Sequence, residues 1–158
     1  MERRDRLVQG HRHDPYFINA KYPNPAVCQE CGVVYEDGTF AWRKHPPRDA
    51  GSIVCPACRR AQDDYEGGQV RLSGGFLHEH AVDIRNLVEN TEDREMSERP
   101  LERILDFTED EGGWLVRTTY EHLARRIAEA VHSAYKGELR LEYPSEDKYV
   151  RASWHRDQ

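Results

Sequence analysis

VCQECG at residues 27–32 and VCPACRR at residues 54–60 contain all four cysteines of the chain. The spacing is C-x2-C, 23 residues, C-x2-C, which sets Cys28, Cys31, Cys55 and Cys58 in two tight pairs. Two residues between cysteines let one turn point both sulfurs at one ion while backbone amides face the same sulfurs. Two such turns supply four soft thiolates in a tetrahedron, an arrangement that suits zinc. Gly32 follows the first pair, where a knuckle turn calls for positive φ. Pro56 lies inside the second pair and fixes φ near the turn.

Between the pairs, VVYEDGTFAWRK (33–44) alternates apolar and polar residues around Asp37-Gly38, a hairpin signal. HPPRDAGS (45–52) reads as a loop. Two knuckles joined through a hairpin make a zinc ribbon. With no core of useful size, such a module takes on the order of 10 kcal/mol or more of its folding energy from the metal. Two disulfides would need an oxidising compartment, for which no export signal is present. A redox C-x2-C opens a helix after a strand and leaves a second pair unexplained. Four cysteines are also the usual ligand set of an iron–sulfur cluster, so spacing leaves that cofactor open beside Zn2+. Four sulfurs close the coordination shell, which argues against a catalytic ion. His78-Glu79-His80 contains an H-x-H but reads as a solvated helix start.

The composition is polar: 37% hydrophobic, 33% charged, mean hydropathy -0.92. No apolar run approaches the roughly 20 residues of a membrane helix. The opening MERRDRLVQGHRHDPY has no apolar stretch after its basic residues, so a soluble, cytoplasmic protein is expected. Net charge is -6, split as +3 over residues 1–60 and -9 over residues 61–158. Only local patches, not the whole-chain charge, point toward nucleic acid.

The chain divides into a basic, irregular arm (1–24), a zinc ribbon (25–66) and an α+β domain (67–158). In the arm, Arg3, Arg4, Arg6 and Arg12 are candidates to order on phosphates, with Tyr16-Phe17 as an anchor. In the third part, 69–72 reads as a strand and 77–90 as an amphipathic helix, with the polar run before Pro100 as its extension. Residues 102–109 and 114–118 read as a hairpin. A helix follows, with Thr118 and Glu121 as a capping box and Gly137 as its C-cap. The segments 138–143 and 149–154 form a last hairpin. The order is β-α-ββ-α-ββ, which without its last strand is the ferredoxin-like split β-α-β arrangement. One sheet face is then open.

Candidate nucleic-acid contacts are Arg59 and Arg60 beside the second pair, Trp42, Arg43 and Lys44 between the pairs, and Arg140 and Arg151 on the last hairpin. Packing inside the ribbon is the competing role for Trp42, and pairing with Asp63-Asp64 the competing role for the two arginines.

DPY (14–16), CxxCGxVY (28–35), CPACRR, RPLERI (99–104), TTYEHLARRIAEA (118–130) and GELRLEYP (137–144) together resemble an uncharacterised bacterial family, over about residues 14–156. In its knuckles that family is similar to the large-ribosomal-subunit export adaptor of archaea and eukaryotes, the one named for nonsense-mediated decay. Those adaptors carry two cysteine quartets and this chain carries one. The resemblance implies metal ligation by Cys28, Cys31, Cys55 and Cys58, and a binding role without catalysis. No nucleophile elbow, P-loop or dinucleotide fingerprint occurs. The expected function is therefore a non-enzymatic zinc protein associated with structured RNA or the ribosome. The alternative is a protein–protein adaptor working through the acidic C-terminal half.

Overall fold

The computed structural model describes Tyr16 and residues 22–144 and 148–158. Most of the basic arm, including its four arginines, lies outside the described residues, as does the centre of the turn at 145–147.

The four-cysteine part begins with β1 (Ala26–Cys28), β2 (Val34–Glu36) and β3 (Thr39–Ala41). Asp37 and Gly38 both take positive φ (53° and 85°), the primed turn that matches strand twist, so β2 and β3 form the predicted hairpin. β4 (Gly51–Ile53) then pairs in parallel with β1, giving the sheet order β3-β2-β1-β4. The end of the segment expected as loop is thus a strand. Ala26, Tyr35 and Ile53 bury a small apolar cluster here, with Tyr22 and Phe40 packed on it.

The second cysteine pair departs from the expected knuckle. Pro56 opens a helix, α1 (Pro56–Gln62), with Cys55 as its N-cap. Proline suits the first helical position, where its missing N–H is not needed. One ligand pair therefore sits in a knuckle and the other in the first turn of a helix that follows a strand.

The larger sheet contains β5 (Gly68–Ser73), β6 (Ile104–Asp110), β7 (Gly113–Thr118), β8 (Glu138–Glu142) and β9 (Val150–His155). Its helices are α2 (Gly75–Glu79), α3 (Ala81–Glu98) and α4 (Glu121–Tyr135). The helix predicted from 77 is broken at His80 and runs on to Glu98. The architecture is mixed α+β, as expected, but the sheet order is β6-β7-β5-β9-β8. A ferredoxin-like sheet would seat β8 beside β5. Here β9 takes that place, parallel to β5, and β8 is the edge. Burial accounts for this. The inward residues of β9, Val150, Ala152 and Trp154, are fully buried, while those of β8, Leu139 and Leu141, are only half-buried. The more apolar strand takes the interior place beside β5.

Val70, Leu72, Trp114 and Val116 share the inward face with those β9 residues, under Leu123, Ile127 and Val131 of α4 and Ile84 and Val88 of α3. Thr118 does not cap α4. It is buried and donates to Tyr120 O. The N-terminus of α4 is capped from outside, by Glu102 accepting from the Leu123 amide at 3.0 Å. A carboxylate suits the positive end of a helix.

Candidate metal centre

The knuckle at the end of β1 is built by backbone bonds: Cys28 N donates to Val33 O and Gly32 N to Cys28 O, both at 2.9 Å. Gly32 supplies the positive φ of 86° that the turn was expected to need. From the other side, α1 aims Cys55 and Cys58 at the same point. The Cys55 sulfur accepts from the Cys58 amide at 3.4 Å, and Cys28 accepts from the Cys55 amide at 3.3 Å.

All four Sγ atoms lie within 4.8 Å of one another and form a possible metal site. Cys28–Cys58 and Cys31–Cys55 are each 3.8 Å apart, each pair joining the knuckle to the helix. A single ion held by four sulfurs at about 2.3 Å has tetrahedral S···S edges of about 3.8 Å, so the quartet fits one ion. Cys28 and Cys55 are buried, and Cys31 and Cys58 half-buried, with Val33 and Ala57 packed against the sulfurs.

Crowding makes these thiols unequal. The hydrogen bond from Cys55, aided by Arg103, holds Cys31 low, at about 4. The hydrogen bond to Cys31, together with burial, drives Cys55 far up. Burial pushes Cys58 to about 11. Four adjacent sulfurs cannot all ionise without a counter-charge, which a divalent ion in their midst would supply.

Arg103 was not among the expected site residues. Its guanidinium donates to Cys31 Sγ at 3.1 Å and to Cys58 Sγ at 3.3 Å, with Cys55 Sγ at 3.8 Å. Burial works against its charge, but the sulfurs outweigh burial and raise its pKa. Its own backbone is fixed by Thr119: Arg103 N donates to Thr119 Oγ1, and Thr119 N to Arg103 O, both at 2.9 Å. Arg103 belongs to RPLERI, a stretch that carried the resemblance but had no role assigned. Nothing local in that stretch announces a sulfur partner.

The predicted nucleic-acid contacts are scattered. Arg60 is buried, with 5% exposure. It donates to Thr119 O at 2.7 Å and lies 4.0 Å from the Tyr120 ring centroid and 4.8 Å from that of Tyr65. It is an internal strut between α1 and the larger sheet, which corrects its reading as a surface contact. Arg59 is exposed, its Nε donating to Val54 O at 3.3 Å. Trp42 is not ribbon core: it is 39% exposed, and its indole N–H reaches Met96 O in α3 at 2.9 Å. Arg103 lies 5.5 Å from its ring centroid. Arg43 and Lys44 are exposed, with Arg43 paired to Glu36 at 3.0 Å. Tyr16 donates to Asp63 at 2.8 Å, and Phe17, named with it as an anchor of the arm, lies outside the described residues.

Arg140 and Arg151 are exposed on the sheet face away from the helices. That face interleaves charges. Arg71 pairs with Asp110 at 2.7 Å, Arg151 approaches Glu142 at 3.9 Å, and Arg117 is held by Asp64, Glu66 and Asp106. Arg126, on α4, is likewise occupied, by Glu95 and Glu129. No helix among the described residues is long and apolar enough to cross a membrane. Comparison with protein-family models, curated proteins and solved structures found no match.

Proposed function

We propose that the chain is a non-enzymatic binding protein whose quartet holds one structural zinc ion, and that it contacts structured RNA or the ribosome through the metal-bearing lobe. The observation that carries the first half is the closure of the site. Four sulfurs are close enough to fill a tetrahedron around one ion, which leaves it no open position, and Arg103 donates to three of them. A thiolate tetrahedron of this size favours zinc, and it is tight for a cluster that puts several irons between the sulfurs. The residues would hold the ion as a closed, shape-giving centre rather than as a Lewis acid.

The second half rests on exposed cations of the lobe: Arg43, Lys44 and Arg48 in the stretch after β3, and Arg59 on α1. Arg60 leaves the set because it is buried, and Arg140 and Arg151 leave it because acids interleave with them on their face. The likeness of the cysteine pairs to those of the large-subunit adaptors supports the same reading. The test is co-sedimentation of the protein with ribosomes over a salt series. Binding should weaken steeply with salt and fall at least tenfold in the Lys44→Glu/Arg59→Glu variant. Salt-insensitive binding, or none, overturns the proposal. The acidic second half, -9 over residues 61–158, favours the alternative of a protein adaptor. A partner retained after nuclease treatment would select it.

A further inference from the structure

The two edges of the larger sheet are unlike. β6 is guarded: its register shifts between Ile104 and Asp106, and it ends in the acidic Glu109 and Asp110. Both devices discourage a further strand. β8 has neither. It pairs with β9 through five unbroken positions, Glu138 to Glu142, and its other side pairs with no strand among the described residues.

The sequence along this edge is Glu138-Leu139-Arg140-Leu141-Glu142-Tyr143. Register with β9 puts Leu139 and Leu141 on the helix side, opposite Trp154 and Ala152. It puts Glu138, Arg140 and Glu142 on the open face. Both leucines remain half-buried, and Tyr143, just past the strand, is 57% exposed. Arg140 has no ion pair among the described residues, and Glu142 has only a 3.9 Å approach to Arg151.

We infer that β8 is a self-association edge, and that its occupant is β8 of a second copy of this chain, antiparallel, with the two-fold axis at Leu141. In that register Leu141 faces Leu141 of the second copy, and Leu139 faces Tyr143 of the second copy. Arg140 faces Glu142 of the second copy, and the reciprocal contact repeats it. Registers centred one residue to either side do not do this. Centring on Arg140 opposes the two arginines, and centring on Glu142 opposes the two glutamates. Directly opposed residues of an antiparallel pair point to the same side, so each side of the sheet gains like with like. The apolar strip meets its counterpart on the helix side, and the charges meet opposite charges on the open face. The two sheets would join into one of ten strands, with both sets of helices on one side. An isologous contact of this kind closes at two copies.

Sedimentation equilibrium over a concentration series tests the register as well as the association. Because of the two-fold, each charge reversal acts twice. Arg140→Glu and Glu142→Arg should each raise the dimer dissociation constant by about tenfold or more, and combining them should restore it to about the wild-type value. Circular dichroism checks that the exposed substitutions leave the fold in place. A wild-type chain that stays monomeric at sub-millimolar concentration overturns the inference. So does a dimer indifferent to both reversals, or one weakened further by the combined variant. Failure here leaves ribosome binding by the metal-bearing lobe untouched, because no residue is shared.

Discussion

Arg103 carries a charge into a place where four sulfurs compete for protons, and its hydrogen bonds lower the nucleophilicity of the thiolates it touches. Replacing it with Gln should keep the fold but speed metal loss to a chromogenic chelator by about tenfold, the lower end of what removing such a partner costs. Equal rates in variant and wild type would remove its protective role. Glu102 offers a second test. Burial, opposed by its bond from the Leu123 amide and helped by Glu121, pushes its carboxyl from 4.5 up to about 7. The folded state therefore holds a proton between those values that the unfolded chain has released. The stability this proton provides is complete below about 4.5 and is lost as pH rises through about 7. Glu102→Gln keeps an oxygen for Leu123 and cannot ionise. It should melt higher than wild type at pH 8, by at most on the order of 3 kcal/mol, with a smaller gain at pH 6. The quartet was legible because the spacing brings each pair of sulfurs together in either a knuckle or a first helical turn. Arg103 and Glu102 were not, since each meets its partner only after α3, β6 and β7 are in place.

At the level of elements, what depends on neighbours in sequence was readable. The Asp37-Gly38 hairpin, α4, and the hairpins ending at Thr118 and His155 all form near their expected bounds. What depends on competition was not. The sequence shows two alternating strands at the end of the chain, but not which one takes the interior place beside β5, because that compares buried areas across the whole sheet. The same limit hid α1: Pro56 between two cysteines fits a knuckle or a first helical turn equally well, and the orientation of β4 chooses. β9 lies inside the sheet, between β5 and β8, so its buried residues should weigh heavily in the unfolding free energy. Trp154, fully buried with its indole N–H bonded to Lys136 O, is the sensitive point. Trp154→Ala should cost about 3–5 kcal/mol in urea unfolding. A loss under about 1 kcal/mol would place this residue at an edge rather than inside the sheet.

On the scale of the molecule, two cores of different kinds meet at a few struts. The larger sheet has an extensive apolar core of its own, whereas the front sheet has two small clusters and the sulfur quartet. Stringent chelation should therefore release the front sheet first. Amide exchange over residues 26–62 should accelerate many-fold while β5, β7 and β9 stay protected. Trp42, bonded to Met96 and beside Arg103, should report the change as a fluorescence shift. Simultaneous loss of protection in both sheets would mean that the two cores are one cooperative unit. The place of β9 between β5 and β8 bears also on biogenesis. A chain emerging from the ribosome exposes all four cysteines by residue 58, so the front part is free to fold while synthesis continues. The larger sheet must wait, its β5 and β7 present but unable to close, until residues 150–155 come out and slide between β5 and β8. Through that interval the nascent chain shows an open apolar seam, and this is when a chaperone would have most to shield.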